Sequence, residues 1–272
     1  MSFRTLVRSF FEAIPLLDVA FRRLFWSRVH FPEAEMQFIT GLRSDEIDVA
    51  VDVGAALGGY AWILNRKSQR VIAFEPGAAH ASFLARGLVG TNIELERKAV
   101  GKSDGMVPMY TPGNDTNARH SATLSKDNPV TLSDGTQVDH VPLISLDGFL
   151  NGRMRPDERL DFLKVDVEGY ELDVFEGARA RIAKDRPIIL CEIEARHNDR
   201  YADVFKLLRM LGYASYVFDG ARFNIFEGDD ITHFQQAADL AIRLSPEYRL
   251  GQSKYINNFM FSHPNSKIRI PV

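Results

Sequence analysis

Cysteine is almost absent from this chain, and its scarcity excludes two kinds of architecture. The 272 residues include one cysteine, Cys191, so the chain can form no internal disulfide and no cysteine-based metal cluster. Cys191 ends the apolar run Ile188-Ile189-Leu190-Cys191, and we interpret it as a buried strand residue rather than a catalytic thiol. Such sparing use of cysteine is typical of a reducing compartment, so we expect a cytoplasmic location.

The sequence also lacks a basic excess and long apolar runs. It has 33 Lys and Arg against 36 Asp and Glu, a formal net charge of −3 at pH 7. Proteins that bind nucleic acids usually carry a basic surplus, so we expect no nucleic-acid partner. No apolar run approaches the roughly 18 residues of a membrane span, so we expect no transmembrane segment.

Residues 1–30 combine five arginines and two acidic residues with apolar residues at roughly helical spacing. Two interpretations stay open: this segment covers the domain's own core, or it lies on a membrane surface or against a partner. Charges interrupt the apolar stretch and no small-residue cleavage site follows, so we expect no cleaved signal. We predict a helical extension over residues 1–45 and a domain over 46–272; the sequence does not indicate an oligomeric state.

Apolar strands alternate with helical segments from residue 46 onward. Strands are predicted at 48–53, 70–74, 92–100, 160–165, 187–193, 213–218 and 259–261. The main intervening helices are predicted at 58–67, from Pro76 to about Leu88, from Ser145, at 170–182 and at 199–211. This alternation predicts an α/β fold with a doubly wound, mostly parallel sheet. An insertion at about 101–142, in which we predict two hairpin strands, interrupts this alternation. Insertions of this kind often determine substrate specificity.

The first two predicted strands end in residues suited to a cofactor. After the first comes Gly54, where glycine permits a tight turn and close ligand approach. The dinucleotide fingerprint G-x-G-x-x-G lacks its second glycine, because Ala56 stands there. Asp52 suits a cofactor with an amino group and would repel a phosphate, whereas Glu75 could accept hydrogen bonds from ribose hydroxyls. The alternative is that Asp52 and Glu75 merely cap helices or lie in solvent.

The next strand ends in a cluster of acidic residues. If the strand continues beyond residue 165, period-two geometry places Lys164, Asp166 and Glu168 on one face. The alternative is a helix N-terminus enriched in acids, which explains Glu168 and Glu171 better than Asp166.

Together these motifs resemble the FkbM-type methyltransferase family over about residues 48–195. The resemblance is carried by Val51-Asp52-Val53-Gly54-Ala55 with Gly58, Phe74-Glu75-Pro76, Ala99-Val100, Ser145-Leu146-Asp147, Lys164-Val165-Asp166-Val167-Glu168-Gly169-Tyr170-Glu171, Gly177-Ala178 and Pro187-Ile188-Ile189 leading to Glu192, with a weaker echo at Asn257-Asn258-Phe259-Met260-Phe261. It implies a Rossmann-like, class I fold that uses S-adenosylmethionine (SAM), with a seven-stranded sheet whose last strand is antiparallel. It also implies O-methylation of a hydroxyl on a sugar, glycan or secondary metabolite.

The resemblance further implies a set of cofactor-binding residues. Asp52, Gly54 and Gly58 would hold the methionine end of SAM, Glu75 the ribose, and Ala99 and Val100 the adenine; Ala55 and Pro76 complete the set. One departure is Ala56, where the family often has Asn.

A hydroxyl acceptor needs a base or a metal to remove its proton. Our candidates for the base are the residues at or just after strand ends: Asp166, Glu168, Glu194 and His197. Alternatively, Asp166 with Glu192 or Glu194 would bind Mg²⁺ through oxygen ligands. Glu192 lies at an apolar run and needs a partner, for which Lys164 and Arg196 are candidates.

Two other functions stay open. One is a nicotinamide-dependent oxidoreductase on a similar sheet, against which Ala56 argues. The other is a non-catalytic protein that binds a glycan or a partner on a degenerate methyltransferase fold, against which the intact Asp52, Gly54 and Glu75 argue.

Overall fold

The computed structural model describes Leu24 and residues 34–112, 122–126, 135–219, 221–243 and 254–271. Most of the predicted N-terminal extension, including the proposed contact segment 1–30 apart from Leu24, lies outside these residues. No helix in the described ranges has the length and apolar character needed to cross a membrane.

The described residues form eleven strands and eight α-helices. The strands are β1 (Ile47–Val53), β2 (Ser68–Phe74), β3 (Ile93–Glu96), β4 (Ala99–Val100), β5 (Gly105–Thr111), β6 (Gln137–Ile144), β7 (Leu160–Val165), β8 (Ile188–Glu192), β9 (Ala214–Phe218), β10 (Phe223–Phe226) and β11 (Asn258–Ser262). The helices are α1 (Ala34–Gly41), α2 (Gly59–Asn65), α3 (Ala78–Ala85), α4 (Leu146–Asn151), α5 (Glu171–Gly177), α6 (Arg179–Asp185), α7 (Tyr201–Met210) and α8 (Ala237–Arg243), with a 3₁₀ turn at Thr232–Phe234.

The strands build one large sheet and one small sheet. The large sheet has the order β10-β9-β11-β8-β7-β1-β2-β3, and the small one β4-β6-β5. Strands β3, β2, β1, β7 and β8 run parallel, while β11 is antiparallel to both β8 and β9. The predicted mostly parallel α/β sheet with an antiparallel last strand is confirmed.

Three sequence-based expectations about individual elements were wrong. The large sheet has eight strands rather than seven, because β10 adds to its edge by antiparallel pairing with β9. The predicted strand 92–100 is two separate strands. β3 pairs with β2 in the large sheet, whereas β4 belongs to the small sheet and pairs with β6. The predicted helix 170–182 is interrupted at Ala178 (φ −114°, ψ 4°), which separates α5 from α6.

The predicted hairpin in the insertion is confirmed, and it is longer than expected. β5 and β6 pair over seven residue pairs, from Gly105 opposite Leu143 to Thr111 opposite Gln137. The small sheet packs through its own apolar cluster, formed by Ala99, Met109, Leu124 and Val141. The hairpin therefore belongs to a second sheet, which is joined to the core of the large sheet through Val100 of β4.

Apolar side chains cover both faces of the large sheet, as expected for parallel strands. β1 places Val51 and Val53 in the core cluster on one face, and Ala50 in the cluster on the other. Because side chains alternate along a strand, Asp52 shares the face of Ala50. The parallel strands all end at the same edge of the sheet, so the residues that follow them meet there.

Candidate functional site

A cleft lies where β1, β2 and β7 end; we call it the strand-end cleft. Its lining includes seven of the twelve predicted site residues: Gly54, Glu75, Pro76, Ala99, Val100, Asp166 and Glu168. Three strand ends and the small sheet therefore contribute to one hollow. Sequence reasoning missed the opposite wall, where Met109 and residues 122–124 of the insertion line the same cleft.

The carboxylate of Glu75 is fixed at the wall of this cleft by two backbone amides. The amide of Ala56 donates to Oε2 at 2.8 Å and that of Gly77 to Oε1 at 2.7 Å. Burial raises the pKa of Glu75 to about 7; the two amides oppose this rise, and the nearby carboxylates of Asp52 and Asp166 add to it. The bond to Gly77 stabilises the turn before α3, so Glu75 has a structural role as well as a place in the cleft.

The turn after β1 depends on glycine at position 54. Gly54 has φ 78°, and a Cβ built there would lie 1.9 Å from the carbonyl oxygen of Asp166. The amides of Gly54 and Ala55 both donate to the carbonyl of Phe74 at 3.0 Å. Gly58, with φ 88°, caps α2. The backbones of β1, β2 and β7 thus approach too closely for a side chain at position 54.

Beneath the cleft, Asp52 and Lys164 are both buried. No hydrogen bond of ordinary geometry reaches either carboxylate oxygen of Asp52 from the described residues, although the backbone amide of Ala61 lies near enough to favour its ionised form. Burial raises the pKa of Asp52 to about 6, although the positive charge of Lys164 opposes this. Asp52 therefore places an incompletely compensated acid under the turn and does not line the cleft. Four other predicted residues, Ala55, Gly58, Glu194 and His197, are also absent from its lining.

Lys164 connects this buried acid to the cleft. Its Nζ donates to Oδ2 of Asp166 at 2.6 Å and lies 4.7 Å from the ring centre of Tyr60. Burial lowers the pKa of Lys164, but Asp166, Asp52 and Glu192 together outweigh burial and raise it. β7 ends at Val165, so Lys164, Asp166 and Glu168 do not continue one strand face as predicted.

Glu168 sits in a strained turn that several side chains hold in place. It has φ 46°, a left-handed conformation that costs a residue other than glycine about 1–3 kcal/mol. Thr123 donates its hydroxyl to the carbonyl of Glu168 at 2.6 Å. The buried Glu171 accepts the amide of Gly169 at 2.7 Å and the side chain of Asn198 at 2.6 Å. The surrounding structure thus aims Glu168 at the cleft.

His197 meets Glu168 from the loop that follows β8. Its Nδ1 contacts Oε2 of Glu168 and lies 3.9 Å from Oε2 of Glu194. Glu194 also contacts Arg196 and accepts the side-chain amide of Asn257 at 3.0 Å. The four predicted catalytic candidates therefore lie in one region: Asp166 and Glu168 line the cleft, His197 touches Glu168, and Glu194 lies 3.9 Å from His197.

Asn257 is a residue that sequence reasoning did not assign to the site. Its side-chain amide donates to Glu192 at 2.5 Å as well as to Glu194, so it connects the last residue of β8 with an acid that follows this strand. The negative charge of Glu192 also acts on Lys164, one of its two predicted partners. The only indication of this role in the sequence was that Asn257 begins the segment 257–261, which resembles the family weakly.

A second cleft adjoins the first; we call it the hairpin cleft. It is lined by β5, by residues 124–126, by the start of α5 and by residues 196–200. The empty volume of the hairpin cleft is about 1410 Å³ and that of the strand-end cleft about 640 Å³; both volumes include space open to solvent. Leu124 lines both clefts, and His197 lines the hairpin cleft while touching Glu168 in the other.

The predicted Mg²⁺ ligands do not assemble into a metal centre. Asp166 is bound by Lys164, and Glu194 is in contact with Arg196. Within the described ranges, no group of three or more His, Cys, Asp or Glu side chains could hold a metal ion. These residues therefore do not fit Mg²⁺, and we assign no chemical step to it.

The model for the methyltransferase FkbM domain matches residues 52–217, which include the ends of β1, β2, β7 and β8. The chain belongs to the FkbM methyltransferase family. This confirms the resemblance inferred from the sequence motifs.

Two curated methyltransferases are similar to this FkbM family member. Methyltransferase 1 of Beauveria bassiana (strain ARSEF 2860) is 28% identical over 142 residues, and methyltransferase sdnD of Sordaria araneosa is 31% identical over 153 residues. Each match covers 47% of this chain, and 57% and 59% of the respective relatives, so the chain aligns with less than two thirds of either protein.

Solved structures of methyltransferases are among those that resemble this chain. An FkbM methyltransferase from Methylobacillus flagellatus KT matches 87% of this chain and 47% of its own, with 17% identity and a TM-score of 0.46. A putative methyltransferase from Streptococcus mutans, in complex with SAH, matches 68% and 86% respectively, with 10% identity and a TM-score of 0.39.

Proposed function

We propose that this FkbM family member is a SAM-dependent methyltransferase that methylates a hydroxyl of a sugar, glycan or secondary metabolite. The observation that carries the proposal is Glu75, held by two backbone amides at the wall of the strand-end cleft, beside the glycine turn at Gly54. A carboxylate in that position has lone pairs left to accept hydrogen bonds from a ribose diol.

The cleft's other residues fit the remaining parts of SAM. Ala99 and Val100 offer an apolar wall for an adenine ring, and Gly54 allows a ligand to approach the backbone. Asp52, which is buried beneath the turn and outside the cleft's lining, supplies negative charge suited to an amino group. When bound, SAM supplies a methyl group that is already activated on a sulfonium. The chain's task is then to orient the acceptor and to take its proton.

The contact between Glu168 and His197 provides a route for that proton. Oε2 of Glu168 contacts Nδ1 of His197, which leaves the second ring nitrogen, Nε2, as the atom that would accept the hydroxyl proton. The side chain of His197 is 8% exposed, which limits competition from solvent. We assign His197 as the base and Glu168 as the residue that orients it.

The arrangement disfavours a nicotinamide dinucleotide. The glycine that would admit a pyrophosphate is replaced by Ala56, and Asp52 and Asp166 add negative charge near the turn. Calorimetric titration with SAM and with NAD separates the two proposals, and tight NAD binding without SAM binding would reverse ours.

Incubation with isotope-labelled SAM and a panel of cell-derived glycans and metabolites, followed by mass measurement of the products, tests whether the chain transfers the methyl group. Cofactor binding with no labelled product from any acceptor class would favour a non-catalytic binding protein.

We predict that Glu75→Gln weakens SAM binding by about 10- to 100-fold, because a hydrogen bond to a charged group contributes about 1.5–3 kcal/mol. Glutamine keeps one oxygen for the backbone amides, and urea unfolding checks that the fold survives. Glu227→Gln, at an exposed position beyond β10, is the matched control and should bind as the wild type does. Equal affinities of the two variants would remove Glu75 from the binding site.

We also predict that SAM affinity falls below about pH 7. Glu75 has a pKa of about 7 in the free protein, so it takes up a proton as the pH falls through that value. Hydrogen bonds from a ribose favour the ionised carboxylate, and binding must then displace the proton. Linkage gives a loss of roughly tenfold between pH 8 and pH 6. Glu75→Gln should lose most of this dependence, leaving the contribution of Asp52, whose pKa is about 6. An unchanged pH profile in that variant would show that another group titrates.

A further inference from the structure

A pocket lies at the edge of the large sheet opposite to the strand-end cleft; we call it the far-edge pocket. It opens where β11 and α7 end and β9 begins, and its empty volume is about 730 Å³, including space open to solvent. Its lining includes both charged and uncharged residues: Arg209, Gly212, Tyr216, Ser262, His263 and Arg269. It shares no lining residue with either of the two clefts.

The far-edge pocket carries positive charge, and no carboxylate of the described residues is part of its lining. Arg209 and Arg269 are both exposed, and neither forms an ion pair with the described residues. Arg209 donates one hydrogen bond there, to the carbonyl of Gly228 at 3.2 Å. A guanidinium group has five N–H donors, so both arginines keep donors for a ligand.

The acids at the start of β7 and before β8 have partners of their own. Asp161 pairs with Lys267 at 3.0 Å, and Asp185 pairs with Arg181 at 3.1 Å. The last carbonyls of α7 accept the backbone amides of residues 211–213. These acceptors therefore compete little with an anion for the two arginines of the pocket.

Ser262 adds a buried hydroxyl to the pocket. Because side chains alternate along a strand, Ser262 lies on the face of β11 that carries Met260, and it pairs with Ala214 of β9. Ala214 and Tyr216 line the same pocket, which indicates that the hydroxyl faces it. Ser262 is 8% exposed, and its hydroxyl has no hydrogen-bond partner among the described residues. A buried hydroxyl of this kind gains from a ligand that binds it.

Gly212 and His263 form a wall of the pocket that adds space and no charge. Gly212 has φ 85°, and a Cβ built there would lie 2.9 Å from Nε2 of His263, so a side chain would crowd this wall. Nδ1 of His263 accepts the amide of Asn265 at 3.0 Å. Burial and the positive charge of Arg186 both lower the pKa of His263, which favours the uncharged ring. The positive charge of the lining therefore comes from the two arginines.

Two positive charges and a hydroxyl match a phosphate monoester better than a carboxylate. A phosphate monoester carries about −1.5 to −2 charge at pH 7 and has three terminal oxygens. A carboxylate has a single charge and two oxygens. Arginine binds phosphate through paired N–H donors, and a serine hydroxyl can donate to a remaining oxygen. The half-buried ring of Tyr216 offers a surface for the organic part of such a ligand.

We propose that the far-edge pocket binds the phosphate group of a phosphomonoester, held by Arg209, Arg269 and the hydroxyl of Ser262. The site is separate from the strand-end cleft and does not depend on the proposed methyl transfer. A free phosphate ester and the headgroup of an anionic lipid such as phosphatidic acid present the same group, and the experiment distinguishes these two sources.

The test uses the full chain in calorimetric titrations without SAM. Phenyl phosphate is the probe, with benzoate as the singly charged anion and phenol as the neutral ring. We expect phenyl phosphate to bind more tightly than both, and to bind less tightly as salt screens the exposed arginines. Arg209→Gln and Arg269→Gln should each weaken this binding about five- to tenfold, and Ser262→Ala about two- to tenfold.

Arg222→Gln and Ser103→Ala are the matched controls. Both positions are exposed and lie outside the pocket's lining, so these variants should bind phenyl phosphate as the wild type does. Urea unfolding checks that every variant folds.

A flotation assay with vesicles identifies the source of the phosphate. It compares phosphatidylcholine vesicles that contain phosphatidic acid with vesicles of phosphatidylcholine alone. Binding of phenyl phosphate without vesicle binding assigns the site to a free phosphate ester. Binding to vesicles with phosphatidic acid that the three pocket variants lose assigns it to a lipid headgroup.

The remaining outcomes overturn the proposal. Binding of benzoate or phenol as tight as that of phenyl phosphate contradicts a phosphate site. An equal loss in Arg222→Gln would show that binding follows the net charge of the chain rather than the pocket. Absence of binding to both phenyl phosphate and vesicles with phosphatidic acid, or binding that no pocket variant weakens, removes the site.

Discussion

His197→Ala is expected to reduce methyl transfer by about 100- to 10,000-fold at saturating SAM, the usual range for loss of a general base. Without the imidazole, the acceptor hydroxyl keeps its proton as the methyl group is attacked. SAM binding should change little, because His197 lines the hairpin cleft and reaches the strand-end cleft only through Glu168. The measurement is single-turnover transfer from labelled SAM to an acceptor found in the product screen, together with SAM affinity by calorimetry.

His263→Ala is the matched control for this prediction. His263 follows β11, which runs antiparallel to β8, so it lies at the opposite end of the sheet and packs against Tyr213. Its removal should leave transfer within about twofold of the wild type. If His197→Ala retained more than about a third of the wild-type rate, His197 would not be the base. Glu168 and Asp166 would then be tested as the remaining candidates for the base in the strand-end cleft.

Gly54→Ala is expected to lower the free energy of unfolding by about 2–6 kcal/mol and to abolish measurable SAM binding. The left-handed backbone costs about 1–3 kcal/mol for alanine, and overpacking adds about 1–3 kcal/mol. The added Cβ would meet the carbonyl oxygen of Asp166 at 1.9 Å, and this oxygen belongs to backbone that cannot rotate away. The ends of β1 and β7 must therefore separate, which displaces Asp166 from the cleft. Urea unfolding and calorimetry measure the two effects.

Gly105→Ala provides the comparison, since a Cβ at that position meets nothing within 4 Å. It should change the free energy of unfolding by less than about 0.5 kcal/mol, as for an ordinary surface substitution. Wild-type SAM affinity in Gly54→Ala would show that β1 and β7 tolerate separation and that the close approach at position 54 is not required for the site.

Strands buried inside the sheet were predicted more accurately than a strand at its edge. β1, β7 and β8 lie inside the sheet, so their near-continuous apolar runs were predicted to within a residue or two. β10 was missed because it is an edge strand with a mixed pattern of buried and exposed residues. The break between β3 and β4 was also missed, since local apolar character does not show which strand a segment will pair with.

The site was predictable where its residues follow strands in a regular order. Gly54, Glu75 and Asp166 were predicted from their positions after apolar runs, and they line one cleft, whereas Asp52 lies within β1 and is buried beneath it. Thr123, Asn198 and Asn257 were not assigned, because each acts through a hydrogen bond to a residue far along the chain. They bind Glu168, Glu171 and Glu194 across 45, 27 and 63 residues respectively.

By itself, the sequence determined the parallel α/β sheet, the family and the acidic groups that follow the strands, because apolar periodicity and short motifs are local properties. Tertiary structure alone decided that Glu168 touches His197 and that a second cleft opens beside the first. Glu168 follows β7 and His197 follows β8, and no periodicity in the chain connects them. The parallel pairing of β7 with β8 brings both to one edge of the sheet, and the insertion then adds the wall that separates the two clefts.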